Sequence, residues 1–131
     1  MTDTLKFVVY TAILTWVALL AGSLIRARGW TFAGTMLAIG NRDRMPEPTP
    51  LAGRAMRAGQ NTLEGFVLFA AIALAAHAAG VDGPKVAMGA QIFFWSRVLY
   101  LPVYYAGITY LRTVVWLVGF AGLAIMISAM L

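Results

Sequence analysis

Four long apolar stretches, separated by short polar connections, leave this chain of 131 residues few folds to choose from. They run over about 5–26, 56–79, 85–106 and 112–130. Crossing roughly 30 Å of hydrocarbon takes ~20 helical residues, so each stretch is long enough to span a bilayer. Inside lipid every backbone N–H and C=O must be satisfied by the chain itself, which points these segments to α-helix. Only 11% of residues are charged, against about 25% in soluble domains. The expectation is an all-α membrane protein: one domain over 1–131, folded as an up-down bundle of four transmembrane helices in contact with the lipid bilayer. The uncharged run Phe7–Ile25 follows Asp3 and Lys6 and precedes Arg26 and Arg28. A signal peptide has the opposite charge order, so this segment is expected to remain as a helix.

The connections differ in character. The first, Arg28–Gly53, holds the Asn41-Arg-Asp-Arg44 cluster and Pro46, Pro48 and Pro50, which favour an extended path over a continuous helix. Within it, Thr31–Ile39 is apolar enough to lie in the membrane interface as a short helix. The second is a compact turn, Ala79–Pro84, and the third, around Ala106–Tyr110, is short enough to make its flanking helices antiparallel neighbours. Arginines crowd the first and third connections, while Lys6 and Lys85 mark the other side. By the positive-inside rule the arginine side is cytoplasmic and both termini lie outside, as in a bacterial inner-membrane protein. The net charge of +5 is thus read as topology and site chemistry. Nucleic-acid binding would need basic residues on one exposed face, and they do not form one.

Two polar rows interrupt the apolar pattern. Arg57, Asn61 and Glu64 are spaced i, i+4, i+7 at the head of the second span, on one helical face. Arg97, Tyr100 and Tyr104, spaced i, i+3, i+7, share a face of the third span. Up-down topology brings the start of span two and the end of span three to one depth, with Arg112 at the head of span four. An ionisable residue within a span is by default a functional-site hypothesis. A lone pair of Arg97 with Glu64, with Asn61 and the tyrosines as interhelical links, accounts for only part of this group, because positive charge is in excess. Surplus guanidinium in a dry site favours an anionic ligand gripped bidentately.

Arg57-x3-Asn61-x2-Glu64 followed by Arg97-x2-Tyr100-x3-Tyr104 resembles the MAPEG family, the membrane-associated proteins in eicosanoid and glutathione metabolism. The Asn41–Arg44 cluster and its prolines resemble bacterial members. The resemblance implies a homotrimer of four-helix bundles that binds glutathione, as co-substrate, between neighbouring subunits. It implies that Arg57, Asn61 and Glu64 hold the polar ends of the peptide, and that Arg97, Tyr100 and Tyr104 line the same pocket. Arg112 resembles the arginine that activates the thiol, and Arg26 would reach a ligand carboxylate from the adjoining subunit. The implied activity is transfer of the thiol to a lipophilic electrophile, or reduction of a peroxide. Three positions depart from the pattern: Val67 where many members have proline, Gln60 where some have a basic residue, and Trp116 where some have tyrosine.

The chain has no cysteine, so thiol chemistry must use a substrate thiol, and no metal-ligand cluster is present. His77 lies about three turns from the basic layer and reads as interfacial. Asp43 with Arg42 and Arg44 reads as a solvated or headgroup-facing cluster, Arg54 as another headgroup contact, and Ala70–Ala79, Gly119 and Gly122 as small faces for close helix packing. Two other functions fit the composition: a small proton-coupled multidrug-type transporter working through Glu64, and a non-catalytic scaffold that keeps the family fold.

Overall fold

A computed structural model describes residues 1–131 as five helices and no strand. Four of them are long and apolar enough to cross a membrane: α1 (Asp3–Ala27), α3 (Pro50–Ala78), α4 (Pro84–Tyr105) and α5 (Thr109–Met130). The short α2 (Phe32–Ile39) occupies the first connection, where an interfacial helix is expected. Only 28 of 131 residues are buried, and large apolar side chains such as Trp16, Val67, Leu99 and Leu117 are exposed. That distribution suits a protein whose outer solvent is hydrocarbon.

Local chemistry sets the ends of these elements. The hydroxyls of Thr2, Thr31 and Thr49 accept hydrogen bonds from the backbone N–H groups of Leu5, Gly34 and Ala52, capping α1, α2 and α3. Arg28, at φ 53°, terminates α1 in the left-handed region, and the Gly29 N–H returns to the Leu24 carbonyl at 2.9 Å. With Thr49 as cap and Pro50 in the first turn, α3 begins at residue 50, ahead of the expected start near 56. Its 29 residues at 1.5 Å each give about 44 Å, well beyond the ~30 Å hydrocarbon core. Arg57 is therefore two turns inside the helix.

Arg42 is not a free headgroup contact. Its Nε donates to the Ala38 carbonyl at the end of α2 (2.9 Å) and its Nη2 to Ser23 Oγ on α1 (2.9 Å). One side chain thereby caps α2 and ties the first connection to the bundle.

The helices approach each other where residues are small. α1 turns Thr4, Thr11, Thr15, Ala18 and Gly22 inward; Thr11 and Thr15 return their hydroxyls to their own helix, at Phe7 O and Thr11 O. A Cβ added to Gly22 would lie 3.1 Å from the Ala55 carbonyl, and one added to Gly59 would lie 3.1 Å from that of Ala18. α4 and α5 form the most extensive interface, while the α1 and α5 backbones are not adjacent. At their seam a Cβ on Gly89 would lie 2.5 Å from the Gly122 carbonyl, and one on Gly122 2.7 Å from that of Gly89. Backbone approach of this kind is how helices gain dispersion energy where lipid removes the hydrophobic drive.

The apolar core occupies one half of the bundle. Phe69, Ala73, Ala76, Val86, Ala90, Phe93, Leu123 and Met126 pack there, with the Phe69 and Phe93 rings stacked at 4.7 Å. The half next to the arginine-rich connections is polar.

Gly122→Val forces β-branched bulk into the α4 backbone. It should destabilise the protein by on the order of 1–3 kcal/mol or prevent folding, whereas Leu117→Ala on the exposed face of α5 should be close to neutral. Thermal melting of both variants in detergent checks this.

Candidate functional site

The start of α3, the end of α4 and the start of α5 meet at the arginine-rich end of the bundle. There Arg57, Gln60, Asn61, Glu64, Tyr100, Tyr104 and Arg112 line a cleft of about 410 Å³. The first four come from one face of α3, as their spacing requires, and the tyrosines stand one turn apart on α4. Tyr104 accepts a hydrogen bond from Arg57 Nε at 3.1 Å. Its ring carries the Arg112 guanidinium at 4.5 Å from the centroid, within cation–π range. The two tyrosine rings meet edge to face at 5.5 Å. Tyr100 and Tyr104 are almost fully buried, at 3% and 8% exposure; Arg57 and Glu64 are exposed to the cleft. Two cations are therefore steered by one rigid phenol.

Arg97 departs from expectation. It does not line the cleft but lies fully buried behind it. Its Nη1 donates to Asn61 Oδ1 at 2.9 Å, and its guanidinium packs over the rings of Tyr100 (4.6 Å) and Phe93 (5.5 Å). Nε and Nη2 have no hydrogen-bond partner. It makes no ion pair with Glu64: within 4.0 Å the chain forms only the pairs Lys6–Asp3 and His77–Asp82. Arg57, Arg112 and Glu64 thus face one space without neutralising one another, apart from a long 3.5 Å contact from Gln60 Nε2 to Glu64 Oε1.

Arg26 is not brought to this cleft within the chain. It lies at the end of α1 beside Arg28, Glu47 and Thr49, around a smaller cleft of about 230 Å³, with its Nη1 buried and unpartnered. Arg54, expected at headgroups, instead donates its Nε to the Tyr105 carbonyl at 3.0 Å. It lies against Gly107, whose φ of 76° makes the tight turn into α5. A cation on the last carbonyls of α4 suits the helix dipole, and it fixes the corner from which Arg112 projects. His77, at the far end of α3, meets Asp82 at 3.0 Å and is remote from the cleft.

Two contributors were not among the expected site residues. Gln60 lines the cleft, a placement that its i−4 relation to Glu64 signals. Ser96 donates to the Val115 carbonyl and locks α4 to α5. It fits because Gly119 has no side chain: a Cβ there would be 2.7 Å from Ser96 Oγ. No residue pattern announces that contact.

Chemically, the arrangement offers two guanidinium groups and two amides to acceptor oxygens, and one carboxylate to a cation. α5 also starts without a side-chain cap, so free backbone N–H groups lie near Arg112 and reinforce the positive field. No cluster of His, Asp or Glu is suited to a metal.

Comparison with known proteins gives one match: the model of the MAPEG family aligns with residues 5–131. No curated protein and no solved structure matches significantly.

Arg54→Ala should loosen the α4–α5 corner without unfolding the bundle, at a cost of about 0.5–1.5 kcal/mol. Hydrogen exchange should become faster at the amides of Ala106, Gly107 and Ile108, while those of α1 keep their protection.

Proposed function

The chain belongs to the MAPEG family, and on that premise we propose that it is an integral membrane glutathione-dependent transferase or peroxidase, working as a homotrimer. The observation that carries this reading is the cleft in which Arg57, Arg112 and Glu64 stand together without pairing. Glutathione carries two carboxylates and an ammonium, and a site with surplus guanidinium and one free carboxylate complements it. Arg57 takes a carboxylate, and Glu64 the ammonium. Asn61 and the walls of Tyr100 and Tyr104 fix the peptide between them, and Arg97 acts from behind through Asn61. Arg26, distant within one chain, reaches a ligand carboxylate across the subunit boundary.

Arg112 is the catalytic residue in this scheme. A fixed cation at the start of a helix stabilises the thiolate over the thiol, and the thiolate is the nucleophile. The thiolate sulfur attacks an electrophilic carbon and the leaving group departs with the bonding pair. With a peroxide as acceptor, sulfur attacks the terminal oxygen, the O–O bond breaks and the alkoxide leaves and takes up a proton; a second glutathione then reduces the sulfenic acid, giving the disulfide and water. Holding thiolate and lipophilic partner together supplies the remaining acceleration. The cleft opens toward the cytoplasm, with both termini outside.

A proton-coupled drug carrier would need Glu64 to bind cations, and Arg57 and Arg112 in the same cleft oppose that. A scaffold role predicts that loss of Arg112 changes nothing.

Calorimetry on detergent-purified protein should give saturable glutathione binding, weakened at least ~10-fold by Arg57→Ala or Glu64→Ala, each removing a charged contact. Arg112→Ala should keep most of the affinity but lower kcat on the order of 10²-fold, with loss of the ultraviolet thiolate band of bound glutathione. Absence of binding to the wild type refutes the assignment. Native mass spectrometry should show three protomers.

A further inference from the structure

Arg97 is a costly residue to leave where it is. Its side chain is fully buried, two of its three nitrogens have no partner, and the cleft does not reach it. Gly65 of α3 and Gly119 of α5 flank it, and a Cβ on either would stand at ordinary contact distance, 3.6 Å from Nη1 and 3.7 Å from Nη2. Its one polar contact is Asn61 Oδ1, at 2.9 Å.

That contact has a chemical consequence. A guanidinium is a donor at every N–H and an acceptor nowhere. The atom of Asn61 that faces Arg97 must therefore be the oxygen, and the amide NH2 must point the other way, into the cleft that Asn61 lines. An asparagine on a free surface presents oxygen or nitrogen by a flip of its amide; here a buried cation forbids the flip.

We infer that Arg97 is a positioning residue that sets the polarity of Asn61, so the cleft presents a fixed N–H donor there and selects a ligand with an oxygen acceptor at that point, a carboxylate or an amide carbonyl. Glu64, one turn further along α3, can only accept. The α3 face thus reads donor then acceptor, and a ligand offering an ammonium opposite Asn61 is rejected. This deepens the glutathione reading and rests on it for the identity of the ligand, but not for the polarity of the amide.

The test therefore has ligand-free and ligand-bound arms. Without ligand, Asn61→Asp places a carboxylate oxygen against Arg97, a charge-assisted contact, and should raise the melting midpoint. In an Arg97→Met background the same change leaves the carboxylate without its cation and should lower the midpoint. Methionine fills similar space and removes two unpartnered donors, so that background should fold. A shift of the same sign in both backgrounds overturns the inference. A check on the wild-type protein uses no variant fold: the Asn61 side-chain NH2 protons should exchange readily with water by NMR, and an NH2 protected from exchange overturns the inference too.

With glutathione, Arg97→Met should weaken binding roughly 5- to 10-fold, the worth of one well-placed hydrogen bond. Added to Asn61→Ala it should cost nothing more, because its effect passes through that amide. Additive losses would make Arg97 a general structural post and overturn the positioning role. If wild-type protein does not bind glutathione, the functional assignment falls while the ligand-free arms still decide the polarity of Asn61.

Discussion

A guanidinium held inside a helix bundle governs the polar half of this protein. Arg97 has no exposed surface, one hydrogen bond and two aromatic faces for company. Burying a cation with incomplete pairing is among the most unfavourable arrangements a membrane bundle can hold. It persists only because α3, α4 and α5 surround it from three sides. The rings of Tyr100 and Phe93 offset part of the lost hydration through cation–π contact. Everything in the cleft then follows at one remove: Asn61 is bonded to Arg97, the tyrosines stand over it or beside it, and Arg57 and Arg112 are steered by Tyr104.

The other half of the bundle supplies the rigidity that this arrangement needs. Phe69, Phe93, Leu123 and Met126 form its apolar core, and Gly89 and Gly122 bring α4 and α5 to backbone contact. α5 runs close to α3 over only a short stretch, and its backbone is not adjacent to that of α1. The position of Arg112 is thus set almost wholly by the α4–α5 seam and by the Arg54-capped corner below it. Two outer faces, on α1 and α5, remain apolar and exposed, as contact with hydrocarbon requires.

Much of this was legible in the residues. Four apolar runs of membrane-spanning length are expected to be helices in lipid. The spacing of Arg57, Asn61 and Glu64 puts them on one face whatever the packing. Two short connections force antiparallel neighbours, which brings both polar rows to one depth. What was not legible is how far each helix is turned about its own axis. Arg97, Tyr100 and Tyr104 share a face, yet the tyrosines wall the cleft and Arg97 passes behind it. Arg42 and Arg54 look like headgroup ligands in a hydropathy pattern, but each finds a helix carbonyl within 3.0 Å.

The sequence by itself determined the number of crossings, their order and the chemistry available at one end, because hydrophobic length and helical periodicity are properties of the chain alone. The tertiary structure decided which arginines face the cleft and which are spent on contacts within the protein. That choice depends on where glycines let backbones close together, and on which carbonyls and amides lie within reach once they do. Such contacts join residues far apart in sequence, and no local pattern encodes them.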